Sequence, residues 1–171
     1  MAIPRKPVLG ILADNLRKRG SVLPLSKKAA TNWARGLELP RGGETIIYTG
    51  HMYQLIPAIT SMAGKMARFE NSFIRKFMGM GRVMNKLMNL SFFMARRDRA
   101  MQEHYDRTLR SIALLLKAAG ETFGYLYEDE LYTGALVHDQ GVDSALADHA
   151  HKVQSVLAGY GVKRIITVDP H

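Results

Sequence analysis

The chain has no cysteine among its 171 residues. That one absence removes disulfides, zinc fingers, thiol nucleophiles and thiolate-held iron–sulfur clusters together, because each needs sulfur from this side chain. Long apolar runs are missing too. The N-terminal stretch meets Asp14 before it reaches the length of a secretory apolar region, and no small-residue cleavage site follows. No window reaches the roughly 18 apolar residues that a membrane helix needs. The expected location is the cytoplasm. The sequence also lacks internal repeats, low-complexity tracts and a phosphate loop: Gly79-Met80-Gly81 does not follow a strand. No Ser/His/Asp order points to a hydrolase.

Apolar residues make up 47% of the chain and charged residues 23%, which is enough to bury the core of one domain. The net charge of +9 is uneven. Between Ser61 and Ala100 nine Lys/Arg face two acidic residues, so one segment holds most of the excess. Basic character confined to one segment does not predict nucleic-acid binding by the whole chain.

Periodicity predicts an N-terminal helical extension over residues 1–44. It has helices near Val8–Lys18 and Lys27–Arg35, the second capped by Ser26, and a Pro/Gly connector from Leu37 to Gly43. Thr45 to Gly50 reads as a buried strand, with a helix from about Met52 that contains Pro57. Met101–Ala119 is an amphipathic helix with Met101, Tyr105, Leu109, Ile112 and Leu116 on one stripe, and Asp106 and Arg110 pairing on the other face. Thr122–Tyr127 reads as a second buried strand. Asp143–Gly159 reads as a helix with Leu146, Ala150, Val153 and Leu157 on its apolar face, and Arg164–Val168 as a third buried strand. Strands alternating with helices predict an α/β fold: a small parallel sheet flanked by helices, with the extension in front and a helical-hairpin insertion within residues 45–171. In such a fold a site is built from the loops at the carboxyl ends of the strands. Those loops are Gly50-His51, Leu131 to Gly134 and Asp169 to His171.

The insertion, residues 61–100, contains seven of the ten methionines and five of the six phenylalanines. Phe69, Phe73 and Phe77 fall on one helical face; Met84 and Met88 follow, and Arg75, Lys76 and Arg82 supply charge. Three readings stay open. The stripes pack on their own domain with a solvated basic face. They dock a protein partner or a second copy, for which flexible methionine is well suited. Or they touch an anionic membrane surface. No aromatic–basic stacking motif favours RNA.

The stretch from Leu16 to Gly50 resembles the lead-in to the cysteine-rich (CCG) domain of heterodisulfide-reductase-like iron–sulfur oxidoreductases. Trp33, Leu37, Leu39-Pro40 and Ile46 to Gly50 match, and His51 stands where that family has a cysteine. Tyr132-Thr133-Gly134 aligns with its Cys-Cys-Gly. The C-terminal GVKRIITVDPH aligns with the lead-in to its Cys-Pro-x-Cys, with Asp169 in place of a cysteine. The similarity covers about Leu16–Pro57 and Arg107–His171; the 80 residues between His51 and Tyr132 are roughly twice the family's span. The resemblance implies a first CCG-like domain whose cluster site is lost. It would serve as a structural or partner-docking module in an electron-transfer complex, with any cluster in a C-terminal continuation. His51, Tyr132, Thr133 and Asp169 are then the positions equivalent to cluster ligands.

Read from the residues alone, His51 is either a loop histidine bonded to backbone or part of a remodelled pocket for a metal or small substrate. His51, His138, Asp169 and His171 offer the nitrogen and oxygen donors for a metal. His149 and His151, two apart on a helix, read as surface residues, and Glu128, Asp129 and Glu130 as a solvated acidic turn.

Overall fold

The computed structural model describes residues 5–68, 98–139, 141 and 143–169. Helix α1 spans Arg5–Arg19 and α2 spans Lys27–Thr31, followed by a 3-10 turn at Asn32–Ala34. Strand β1 is Thr45–Tyr48, α3 is Met52–Arg68 and α4 is Arg99–Ala118. A 3-10 turn at Tyr127–Asp129 leads to α5, Ala135–His138. Helix α6, Asp143–Gly159, and strand β2, Arg164–Thr167, complete the α/β fold.

Local chemistry sets the helix ends. The Ser26 hydroxyl accepts the Ala29 N–H, and the Asp98 carboxylate accepts the Met101 N–H, so each caps an otherwise orphaned donor. Helix α4 stops where the Glu121 N–H returns to the Leu116 carbonyl and the Gly120 N–H to that of Lys117. Pro57 lies within α3, whose first turn it follows closely.

Strand β1 pairs in parallel with β2, Ile46 opposite Ile165 and Ile47 opposite Ile166. Successive β1 side chains face opposite ways. Ile47 packs with Trp33, Leu109, Ala113 and Tyr125 on one side; Ile46 and Tyr48 meet Val153, Val156 and Leu157 of α6 on the other. Residues 12–23 are not peripheral to this core. Leu12, Leu16, Val22 and Leu23 form a third cluster with Leu55, Ala58, Tyr132 and Ala145. Each such buried Leu or Val side chain contributes about 1.5–3 kcal/mol relative to exposure.

Several expectations change. Thr122–Tyr127 is not a strand: only Gly124 and Tyr125 bridge, to Ile46 and Arg41 respectively. The segment is clasped, with the Ile47 N–H on the Gly124 carbonyl and the Tyr125 N–H on the Pro40 carbonyl. A Cβ on Gly124 would stand 1.8 Å from the Gly42 oxygen, so the close approach requires glycine. Pairing ends where the chain turns at Tyr127, φ 54°. Strand β2 is not buried; it is an edge, and Ile165 is 42% exposed. Among the described positions of α6, Ala145 and His149 are buried, while Ala150 is exposed. Asp106 does not serve an exposed pair with Arg110. It is buried and accepts from Asn32 and Gln102, whereas Arg110 reaches the Arg35 carbonyl.

Residues 61–68 continue α3 without a break, and residues 99–100 open α4. The expected hairpin between them, with Phe69, Phe73, Phe77, Arg75, Lys76, Arg82, Met84 and Met88, lies outside the described residues, as does His171. No helix among the described residues is long and apolar enough to cross a membrane.

Candidate functional site

The turn between β1 and α3 is Thr49-Gly50-His51. Gly50 and His51 are both left-handed, with φ of 55° and 58°. This geometry turns successive backbone N–H groups inward at the N-terminus of a 17-residue helix, where the dipole favours an anion. Helix α3 carries no acidic residue in its own first turn. The carboxylate comes from Glu130, 80 residues away. Its Oε1 accepts the N–H groups of Thr49 and Gly50, the latter at 2.8 Å, and its Oε2 accepts the Thr49 hydroxyl at 2.9 Å.

Thr49 Oγ1 is the hub of the network. It also accepts from Gln54 Nε2 at 2.7 Å and from the His51 N–H at 3.3 Å, and Gln54 Nε2 reaches the Ala30 carbonyl. The His51 ring points into the same buried region. Its Nε2 lies 3.8 Å from Glu130 Oε2, beyond hydrogen-bond reach, and neither ring nitrogen has a partner. The loop-histidine reading with a backbone bond is therefore corrected: the ring is buried and unbonded. Burial pushes its pKa down to about 4, so the imidazole is neutral at neutral pH. Burial pushes Glu130 up to about 7, against the hydrogen bonds from Tyr125, Gly50 and Thr49 that favour the carboxylate.

The 131–134 loop is tied to this turn. The Thr133 N–H donates to the Gly50 carbonyl at 3.3 Å, and the Tyr48 hydroxyl donates to the Leu131 carbonyl at 2.8 Å. The Thr133 methyl occupies the space a Gly50 side chain would need, 2.2 Å from a Cβ there. Thr133 Oγ1 accepts the Ala135 N–H and Tyr132 Oη the Leu136 N–H, so both side chains help start α5. His149 Nε2 bonds the Tyr132 carbonyl, and the Asp169 carboxylate raises the Tyr132 phenol after burial and Asp139 have done so. His51, Tyr132 and Thr133 thus come from two loops bonded to each other beyond β1, and Asp169 follows the parallel β2 at the same edge of the sheet. His138 is exposed at the end of α5.

Comparison of the chain with protein-family models, curated proteins and solved structures gives no match.

Two readings of acidic and basic side chains are overturned. Glu128 and Asp129 do face solvent and pair with Arg41, but Glu130 is wholly buried because the 3-10 turn swings it toward α3. His149 is not a surface residue; its bond to the Tyr132 carbonyl holds it inside, while His151 is exposed. Glu130 was legible only indirectly, through a helix start with no acidic residue of its own. A sulfide cluster does not fit these donors. The chain offers no thiolate, Thr133 Oγ1 is spent on α5, and Glu130 fills the α3 N-terminus. Among the described residues, no three His, Asp or Glu side chains gather to hold a metal ion.

Proposed function

We propose that this chain is a cysteine-free CCG-like domain of the heterodisulfide-reductase-like kind, serving as a structural or partner-docking module in an electron-transfer complex. The observation that carries the reading is the junction of three loops. Beside the positions matching the family's ligands, Glu130 clasps Thr49 and Gly50 next to His51, Thr133 bonds Gly50, and Asp169 follows the neighbouring strand. Direct bonds then do what shared metal ligands would do: they fix distant loops to one another. On this reading the chain works in the cytoplasm and meets membranes only through partners. Its partners are protein subunits or a second copy, and the Met-rich basic segment is the contact.

The test replaces residues 69–97, between α3 and α4, with a short Gly/Ser linker and compares masses by light scattering. A self-associating parent and a folded monomeric variant are expected. A parent that is monomeric and binds no subunit of such a complex overturns the docking role. The orphaned His51 imidazole favours a second reading, a remodelled pocket for a small substrate. Perturbation of the His51 ring resonances by a bound small molecule would mark it.

A further inference from the structure

Unbonded polar atoms concentrate at the start of α3. Among the described residues, five buried side-chain nitrogen or oxygen atoms have no hydrogen-bond partner. Three of the five belong to His51 and Gln54: both ring nitrogens of the first and Oε1 of the second. His51 is 6% exposed and Gln54 not at all. A buried polar atom without a partner is costly, so three of them within four residues call for a ligand. The charged group beside them is an acid. The Glu130 side chain is wholly buried, and its Oε2 lies 3.8 Å from His51 Nε2. Imidazole nitrogen, carboxylate and amide oxygen together offer more acceptors than donors, which suits a cation. The spacing says which kind. A tetrahedral zinc ion, about 2.0–2.2 Å from nitrogen and oxygen ligands, sets two of them about 3.4 Å apart, and ligands in line about 4.2 Å apart. The observed 3.8 Å falls between these limits. An ammonium group bonded at about 2.8 Å to each atom would hold them about 4.6 Å apart at the tetrahedral angle.

We propose that His51 Nε2 and Glu130 Oε2 are the protein ligands of a zinc ion. The described residues bring no third His, Asp or Glu to the pair, so water fills the other positions and the site is an open one. Gln54, joined to Glu130 through Thr49 Oγ1, supplies an acceptor for such a water. One imidazole nitrogen among the donors favours zinc over calcium or magnesium, which take oxygen ligands. Zinc also outranks iron(II) and manganese at the same donors. The ion offsets the buried charge of Glu130 and gives the ring the partner it lacks. It adds a second tie between the turn after β1 and the turn that carries Glu130, beside the bonds to Thr49 and Gly50. This inference stands independently of the docking role.

The test titrates zinc chloride into the full chain, first stripped with a chelator, in buffer that contains magnesium and calcium. Calorimetry should find one zinc per chain. His51→Asn and Glu130→Gln should each weaken binding by at least about a hundredfold, since one of two protein ligands is lost. His138→Asn and His151→Asn, which change exposed residues, should leave it unaltered. Nitrogen-15 spectra of the unsubstituted chain locate the ion even if a variant does not fold: equimolar zinc should move the His51 ring nitrogens. A His51 ring that equimolar zinc leaves untouched overturns the proposal. So does an affinity unchanged in folded His51→Asn, or zinc that moves the His138 or His151 resonances instead, an adventitious ion only.

Discussion

Glu130 Oε2 and His51 Nε2 face each other across 3.8 Å inside the protein, the acid bonded on all sides and the imidazole bonded on none. The acid closes the α3 N-terminus and joins two loops, so its removal strips partners from two backbone N–H groups and a hydroxyl. Glu130→Ala should therefore cost about 3 kcal/mol in urea unfolding, the penalty for orphaned buried donors. Glu130→Gln keeps one carbonyl oxygen for Thr49 and Gly50 and should cost about 1 kcal/mol. Equal losses for the two would show that the carboxyl oxygens do not clasp the turn.

The same two residues make opposing contributions to pH dependence. The folded pKa of His51 is depressed, to about 4 from 6.5. Its contribution is present above pH 6.5 and lost as pH falls toward 4. The folded pKa of Glu130 is raised, to about 7 from 4.5. Its contribution is present below pH 4.5 and lost as pH rises toward 7. Between pH 4.5 and 6.5 the two slopes oppose each other. His51→Asn, which tolerates the left-handed backbone, should leave the Glu130 slope, so that stability falls on the alkaline side by on the order of 2–3 kcal/mol. Glu130→Gln should leave the acid-side loss. Chemical denaturation at half-unit pH intervals checks both, and variants that keep the parent's profile would refute the assignment.

Gly50 and Gly124 should fail differently when given a side chain. At Gly50, φ 55°, alanine meets the Thr133 methyl, a side chain. Gly50→Ala should cost at least about 2 kcal/mol from backbone strain and contact together, and Thr133→Ser in the same chain should recover the contact part. At Gly124 the obstacles are the backbone oxygens of Gly42 and Pro40, 1.8 and 2.7 Å from a Cβ. Gly124→Ala should not yield a folded protein under any second-site side-chain change. Circular dichroism and thermal melts of the three variants test this.

Purified protein should contain neither iron nor acid-labile sulfide and show no visible charge-transfer absorption, since no thiolate is available to hold a cluster. Stoichiometric iron by elemental analysis would contradict this.

The sequence by itself determined the elements with strong periods and the order in which they occur. The stripe from Tyr105 to Leu116 had to be a helix, since only that period puts its apolar residues on one face. Thr45–Tyr48 and Arg164–Thr167 had to be short strands, and the alternation of helix and strand made their pairing parallel. The turn after β1 was legible as well, as the loop at the carboxyl end of a parallel strand. Tertiary structure decided what lies inside. Glu130 and Glu128 are two residues apart in one acidic run, yet one is buried and the other paired with Arg41 at the surface. His149 and His151 split the same way. Local sequence carries no record of which charged neighbour will find donors 80 residues away at Thr49 and Gly50. The pleat likewise could not reveal that Gly124 would be clasped between two backbones, because that depends on the Pro40 and Gly42 carbonyls arriving from another part of the chain. Periodicity is a property of neighbours along the chain, whereas burial of a polar group depends on partners that only folding brings near.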